Sequence, residues 1–292
     1  MDFDVVAHGI VAGSLYALVA VSFNILYRPT NVFNFAQGEL VMLGAMIFAS
    51  ITSLAGMPWL VAFAATLIAV GLIGLVEERV AVAPILARSQ TGTGWVITTL
   101  AMSLIISNLV GRIWGPDPIL VKPPQPLSME TLDLGPSHLS SYEIALVLVT
   151  IVLVVIVESA YRTLKGKAVM AVAEDREAAL LRGIDPGSLG RWSFFLGAAF
   201  AAMTGILAAP ILYASTALGP DLLLKGFAAA AVGSIGNNRG ALIAGYIIGI
   251  TEAVGASLLS PGYQEAVIFI VVLTVLLLRP QGLFGSPNAR TV

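Results

Sequence analysis

The sequence predicts an all-α polytopic membrane protein, and three observations carry that reading. Of 292 residues, 58% are hydrophobic and only 11% are charged, where soluble domains carry roughly 25% charged residues. Apolar runs of membrane-crossing length recur along the chain, divided by short polar breaks. The charges are gathered rather than scattered: Arg162–Arg191 holds ten of them, including six of the fifteen basic residues. The whole chain, 1–292, therefore reads as one transmembrane domain of eight or nine membrane segments, two of them short enough to be half-helices.

The elements follow in order. The N-terminus, MDFD, is acidic and lacks the basic stretch of a signal peptide, so Val5–Tyr27 is expected to be a retained first span. Gly9, Gly13 and Ser14 give it a small face for close helix contact, and Arg28-Pro29 and Asn31 end it. Leu40–Leu54 falls short of the ~20 residues that cross a bilayer unless the polar NFAQGE portion enters too. Segment 33–54 can thus span or re-enter. Trp59–Val76 is a third span, closed by Glu77, Glu78 and Arg79, and Val96–Val110 is a fourth. The Pro-rich loop 115–141 is expected to have little regular structure. Ile144–Ser159 leads into the charged loop 162–191, whose centre, AVMAVAEDREAALLRGI, has helical composition until Asp185-Pro186-Gly187 stops it. Trp192–Tyr213 is a Gly/Ala-rich span interrupted at Pro210, and 222–235 is again short and Gly-rich. Gly240–Leu259 and Ala266–Leu278 complete the set, ended by Arg279-Pro280.

Basic residues orient the chain, because they are retained on the cytoplasmic side. With the N-terminus outside and nine alternating segments, twelve of the fifteen fall inside: Arg28, Arg79, Arg88, the six of the central loop, Arg239, Arg279 and Arg290. Only Arg112, Lys122 and Lys225 fall outside. The expected topology is N-out/C-in, with loop 162–191 cytoplasmic and loop 115–141 external. Two stretches echo each other. ILYRPTNVFNFAQGELVMLGA and ILYASTALGPDLLLKGFAAAAVGSIG each leave a span through a Pro-containing break into a short helix of small residues. Broken helices at matching positions mark translocation paths in transporters.

Composition excludes several chemistries. Without Cys there is no disulfide, thiol nucleophile or Cys-ligated zinc, and His8 and His138 alone cannot make a His-rich metal site. The chain lacks G-x-x-x-x-G-K-[ST] and HExxH, so it is not read as an ATPase or a zinc protease. Net charge is −2, with no basic arm for nucleic acid.

Polar residues inside apolar segments then become the candidates. In the stretch from Asn31 to Leu40, a carboxylate at mid-membrane costs about 2.5–3.5 kcal/mol, so Glu39 must face a partner, water or a helix end. As a helix N-terminal acid it would also be favoured by the dipole. Asn34 and Gln37 can satisfy freed backbone groups, and Gly38 permits close approach. In the stretch from Gly226 to Ala241, Gly226, Phe227 and Gly233 can line a pathway whose backbone is exposed to a cavity, or can serve plain helix packing. Glu252 is placed for an interhelical hydrogen bond, and Glu158 for an i,i+4 pair with Arg162.

The central loop also carries Glu177-Ala178-Ala179, then three residues, then Gly183. It resembles the coupling loop of ABC importer permeases, although the Ile-x-Leu-Pro continuation of that motif is absent. Together with NFAQGELVMLGA, GKAVMAVAEDREAALLRGID and RPQGLFG, matched in order, nearly the whole chain looks like the permease family for branched-chain amino acids, and within it the shorter permease. The resemblance implies a second homologous permease, two ABC ATPases that bind the ATP and Mg, and a periplasmic substrate-binding protein in the bacterial inner membrane. It implies ATPase coupling by Arg176, Glu177, Ala178, Ala179, Leu180 and Gly183. Asn34, Gln37, Gly38 and Glu39, with Gly226, Phe227 and Gly233, are the candidate pathway residues. Urea, short amides and carboxylic acids are alternative substrates for such a permease. A secondary transporter working without an ATPase, or a purely structural membrane subunit, would be a different class.

Overall fold

A computed structural model describes residues 3–88, 94–133, 138–259 and 261–285; Arg290, counted above on the inner side, lies outside them. The protein is a polytopic all-α membrane protein. Among the described residues twelve α-helices run in order: α1 Phe3–Thr30, α2 Gln37–Ala49, α3 Trp59–Glu77, α4 Ala83–Arg88, α5 Gly94–Trp114, α6 Ser141–Ala160, α7 Leu164–Glu174, α8 Arg176–Leu181, α9 Pro186–Leu212, α10 Leu218–Gly233, α11 Asn238–Leu258 and α12 Gln264–Leu278. Six helical stretches among the described residues are long and apolar enough to cross a membrane: α1, Trp59–Leu86, α5, α6, α9 and α11.

The chain forms two compact units. A middle unit holds Ile25–Pro124 and Ser159–Leu223, and a terminal unit holds Met1–Asn24, Gln125–Glu158 and Leu224–Val292.

In the middle unit, α2 is buried along almost its whole length and packs on α9 and α3. Small residues make the approach possible. A side chain at Gly44 would run into the backbone of Ala202, and one at Gly205 into the carbonyl of Val41. With no water to expel between helices in lipid, this contact is held by van der Waals packing. Helix α3 buries one stripe, Ala62, Thr66, Val70, Gly74 and Glu77, at helical spacing. Its Leu60, Ile68, Leu72 and Val76 stay exposed. Leu26, Val32, Ala81, Val82 and Phe194 form a further packed cluster.

In the terminal unit, α1 and α11 cross on glycines. Gly13 lies against the backbone of Gly245 and Tyr246, and Gly249 against Gly9 and Gly13. Helix α12 packs on α11, with Val267 over Gly255. The chain end is tied back by Leu283 N–H, which donates to the Val232 carbonyl at 2.8 Å.

Several expectations are corrected here. Helix α3 does not close at Glu77–Arg79: a π-helical turn, Glu78–Val82, carries it on to α4. The centre of the charged loop is two helices rather than one, split at Asp175, whose backbone is extended. Asp185 and Pro186 do not stop the loop helix, which ends at Leu181; they start the next one. Asp185 caps α9 by accepting from Gly187 N–H at 2.9 Å and Pro186 occupies the first turn, where its missing N–H costs nothing. Pro210 does not interrupt α9, which continues to Leu212; so near the end of the helix a proline removes only one backbone bond. The 115–141 loop keeps, among its described residues, little regular structure beyond a pair of three-residue strands, β1 Thr131–Asp133 with β2 His138–Ser140, as expected. Glu158 pairs with Arg239 at 3.2 Å rather than with Arg162, because α6 ends at Ala160 and the i,i+4 geometry ends with it.

The two echoing stretches have like local form. Helix α1 ends before Asn31 (φ 54°) and α9 before Tyr213 (φ 61°), and each break leads to a helix of at most 16 residues, α2 or α10.

Candidate functional site

The segment around Asn34 lies in the middle unit and is held by its own side chains. Asn34 Oδ1 accepts from Ala36 N–H at 2.9 Å, closing an Asx-turn that delivers the chain into α2. Its Nδ2 donates to Glu77 Oε2 at 3.0 Å and reaches Gln37 Oε1 at 3.4 Å. Gln37 in turn donates to the Gly197 carbonyl on α9 at 3.0 Å. Glu39 Oε1 accepts from Ser103 Oγ at 3.1 Å. A side chain at Gly38 would meet the Gly219 carbonyl at 2.5 Å, so the first turns of α2 and α10 touch. Asn34, Gln37 and Glu77 have no exposed surface and Glu39 is buried. All four sequence candidates in this stretch are therefore interior, and the structure adds Glu77 and Ser103 to them. Glu77 was hidden because a Glu-Glu-Arg run after an apolar stretch reads as a span's end.

The second cluster is in the terminal unit. Lys225 Nζ lies 2.6 Å from Glu252 Oε1. Tyr16 Oη donates to Glu252 Oε2 at 2.5 Å, and Lys225 reaches Tyr16 Oη at 3.3 Å. The expected hydrogen bond of Glu252 thus goes to α1, and an ion pair to α10 joins it. Gly226 faces Val19, whose Cβ a side chain there would approach to 2.5 Å, and Gly233 lies against the Gly240 backbone. Phe227 meets Phe23 edge-on, ring centroids 6.3 Å apart. Sequence reading missed Lys225 and Tyr16: a lone lysine was assigned to the outer surface, and its partners lie 27 and 209 residues away.

The third site is the α7–α8 segment of the middle unit. Thr163 caps α7 by accepting from Gly166 N–H at 3.2 Å. Asp175 Oδ1 accepts from Glu177 N–H at 3.0 Å and Ala178 N–H at 2.9 Å, satisfying two of the free donors at the start of α8. The far end closes as a Schellman motif: Ile184 N–H donates to the Ala179 carbonyl at 3.0 Å and Gly183 N–H to that of Leu180 at 2.9 Å. Gly183 takes φ +81° there, which only glycine adopts without strain. Ala179 is buried, while Glu177 and Ala178 are exposed and Arg176 is half-buried. Leu180 and Leu181 are 54% and 90% exposed. A six-residue helix capped at both ends and presenting two bare leucines is a rigid apolar knob. Leu181 was not singled out in the sequence, where an exposed leucine looks like any buried one. Arg28 stacks on the Tyr161 ring at 4.1 Å and reaches Met170 Sδ on α7 at 3.6 Å, tying the end of α1 to the start of this segment.

Among the described residues no group of three or more His, Cys, Asp or Glu side chains could hold a metal ion.

Comparison with known proteins gives a consistent result. Residues 5–276 match the family model for the branched-chain amino acid transport system permease component. The high-affinity branched-chain amino acid transport system permease protein BraD of Pseudomonas aeruginosa is 32% identical, over 98% of this chain and 96% of that protein. The corresponding LivH of Escherichia coli K12 is 29% identical over the same shares, and a probable LivH of Methanocaldococcus jannaschii 28% identical over 94% and 90%. No solved structure matches. The chain belongs to the branched-chain amino acid transport system permease family.

Proposed function

We propose that this chain is the permease subunit of an ATP-driven ABC importer that carries branched-chain or other hydrophobic amino acids across the bacterial inner membrane. The observation that carries the reading is the capped α8 knob. Leu180 and Leu181 are exposed on a helix set between apolar spans, and an exposed apolar pair on so short a rigid element is suited to burial in a groove of another protein. The resemblance of Arg176, Glu177, Ala178, Ala179, Leu180 and Gly183 to a coupling loop supplies that partner's identity, an ABC ATPase. The names of the relatives supply the solute.

On this reading the topology is N-out/C-in, which puts α7 and α8 in the cytoplasm. Two ATPases bind ATP and Mg and grip α8 of this chain and its counterpart on a second, homologous permease. A periplasmic binding protein delivers the amino acid from outside. ATP-driven approach of the ATPases moves the α7–α8 segments, and the Arg28–Tyr161 stack passes the movement to the end of α1. Asn34, Gln37, Gly38 and Glu39 belong to the moving wall of the pathway, as do Gly226, Phe227 and Gly233.

Affinity purification of the tagged chain in mild detergent tests the assembly. Recovery of ATPase subunits with a second permease is the expected result. Recovery of the chain alone, still moving amino acid in liposomes without ATP, would make it a secondary transporter.

A further inference from the structure

We propose that Lys225 is the residue in the pathway that takes the carboxylate of a zwitterionic amino acid, with Glu252 and Tyr16 holding it in place. The inference rests on the import reading above and names the head-group site within it.

Lys225 is the eighth residue of α10, about 10 Å along the helix axis from its start at 1.5 Å per residue. A charge within an apolar helix of a membrane protein is costly and calls for a function or a partner. Glu252 is that partner, but the arrangement is unequal. Both Glu252 oxygens are engaged, one by Lys225 and one by Tyr16, and its side chain is only 8% exposed. The ammonium of Lys225 has three N–H donors. Two are spent, on Glu252 and on Tyr16, and the described residues supply no acceptor for the third. The Lys225 side chain is 21% exposed, between Leu224 and Phe227, which are 40% and 36% exposed. The site therefore offers one charge-assisted donor beside an apolar and an aromatic side chain. Its ion pair is net neutral, so a net-neutral zwitterion can enter without burying an unbalanced charge. The carboxylate takes the open N–H, and an apolar side chain lies along Leu224 and Phe227.

The test uses the complete complex with its ATPases and second permease, in proteoliposomes, with leucine as the probe. Lys225→Met combined with Glu252→Gln removes both charges, so nothing unpaired is left buried. If the pair only holds helices together, this neutral variant transports normally. The proposal expects leucine uptake to fall by about tenfold or more, the value of one charge-assisted hydrogen bond, in a complex that still copurifies with its ATPases. Uptake above half that of the unsubstituted complex would overturn it.

A second measurement does not depend on how well the double variant assembles. The chain contains no Cys, so Leu224→Cys, which keeps Lys225, introduces its only thiol beside the ammonium. Without the binding protein present, leucine should slow modification of that thiol by aminoethyl methanethiosulfonate. Leucinamide, which lacks the carboxylate, should not. Equal protection by both, or no reaction of the thiol, overturns the site. If the unsubstituted complex shows no ATP-dependent leucine uptake, the import reading itself fails and the Lys225 site falls with it. Normal uptake there with an indifferent double variant rejects the Lys225 site alone.

Discussion

Truncating Leu181 to alanine should weaken ATPase docking by a calculable amount while leaving the permease itself untouched. Leu→Ala removes three carbon groups, worth about 0.8 kcal/mol each when taken out of water. Leu181 is 90% exposed in the free chain, so nearly all of that surface is available for burial on docking, or about 2 kcal/mol. At an RT near 0.59 kcal/mol this is about a 30-fold rise in Kd. Leu180, 54% exposed, should contribute about 1.3 kcal/mol on the same basis, close to tenfold. Titrating purified ATPase subunits onto the detergent-solubilised permease measures both, and the order is as informative as the size: Leu181→Ala must hurt more than Leu180→Ala. Thermal unfolding of the isolated chain should not change in the Leu181 variant, since that side chain is almost bare. An unchanged Kd would refute the docking role, and a lowered midpoint would show that the leucine is packed rather than presented.

Three further outcomes are expected. Asp175→Ala removes the cap of α8 and should cost about 1 kcal/mol of local helix stability, read as roughly fivefold faster hydrogen exchange at the Glu177 and Ala178 amides; Asp175→Asn, which keeps a capping oxygen, should restore protection. Glu77→Ala takes away the acceptor 3.0 Å from Asn34 Nδ2 in a fully buried setting, and should lower stability by about 1–3 kcal/mol, seen as an earlier thermal midpoint in detergent, whereas Glu77→Gln keeps an acceptor oxygen and the midpoint. Gly205→Val drives a branched side chain into the Val41 carbonyl where α9 crosses α2, so it should abolish recovery of monodisperse protein; an intact, well-folded variant would show that the two helices are not in such close contact.

The spans were legible because their signal is one-dimensional. Long apolar runs with Asn31 and Tyr213 at the breaks can be read without knowing what lies across from them. The helix junctions were less so. Asp185-Pro186 reads as a stop but starts α9, because Gly183 has already closed α8, and the sequence does not show which role applies. Asp175 lies inside a run of good helix formers, and only its extended backbone reveals the cap. The polar clusters were half-legible. Asn34, Gln37 and Glu39 announce themselves as polar residues in an apolar stretch, and Glu252 does the same. Their partners do not: Glu77, Ser103, Lys225 and Tyr16 lie far away in sequence, and nothing in a single chain pairs residues across such distances. Leu181 was invisible for the opposite reason, since it is apolar and stands out only by being bare.

The seat of α2 has a consequence for how the protein is made. Helix α2 and the π-helical turn Ser50–Leu54 that continues it reach only the lower limit of a membrane span, and the Gln37 side-chain N–H finds its acceptor among the described residues at Gly197, 160 residues further along the chain. While the ribosome is still synthesising α3 to α8, α2 therefore lacks the hydrogen-bond partner that would settle Gln37 in lipid. It has to wait at the membrane edge, or in the insertion machinery, until α9 emerges. Assembly of this protein is thus ordered late, and α9 is the piece that completes it. A ribosome stalled before Gly197 should leave α2 open to proteolysis, and one stalled far enough past Leu212 for α9 to have left the exit tunnel should not.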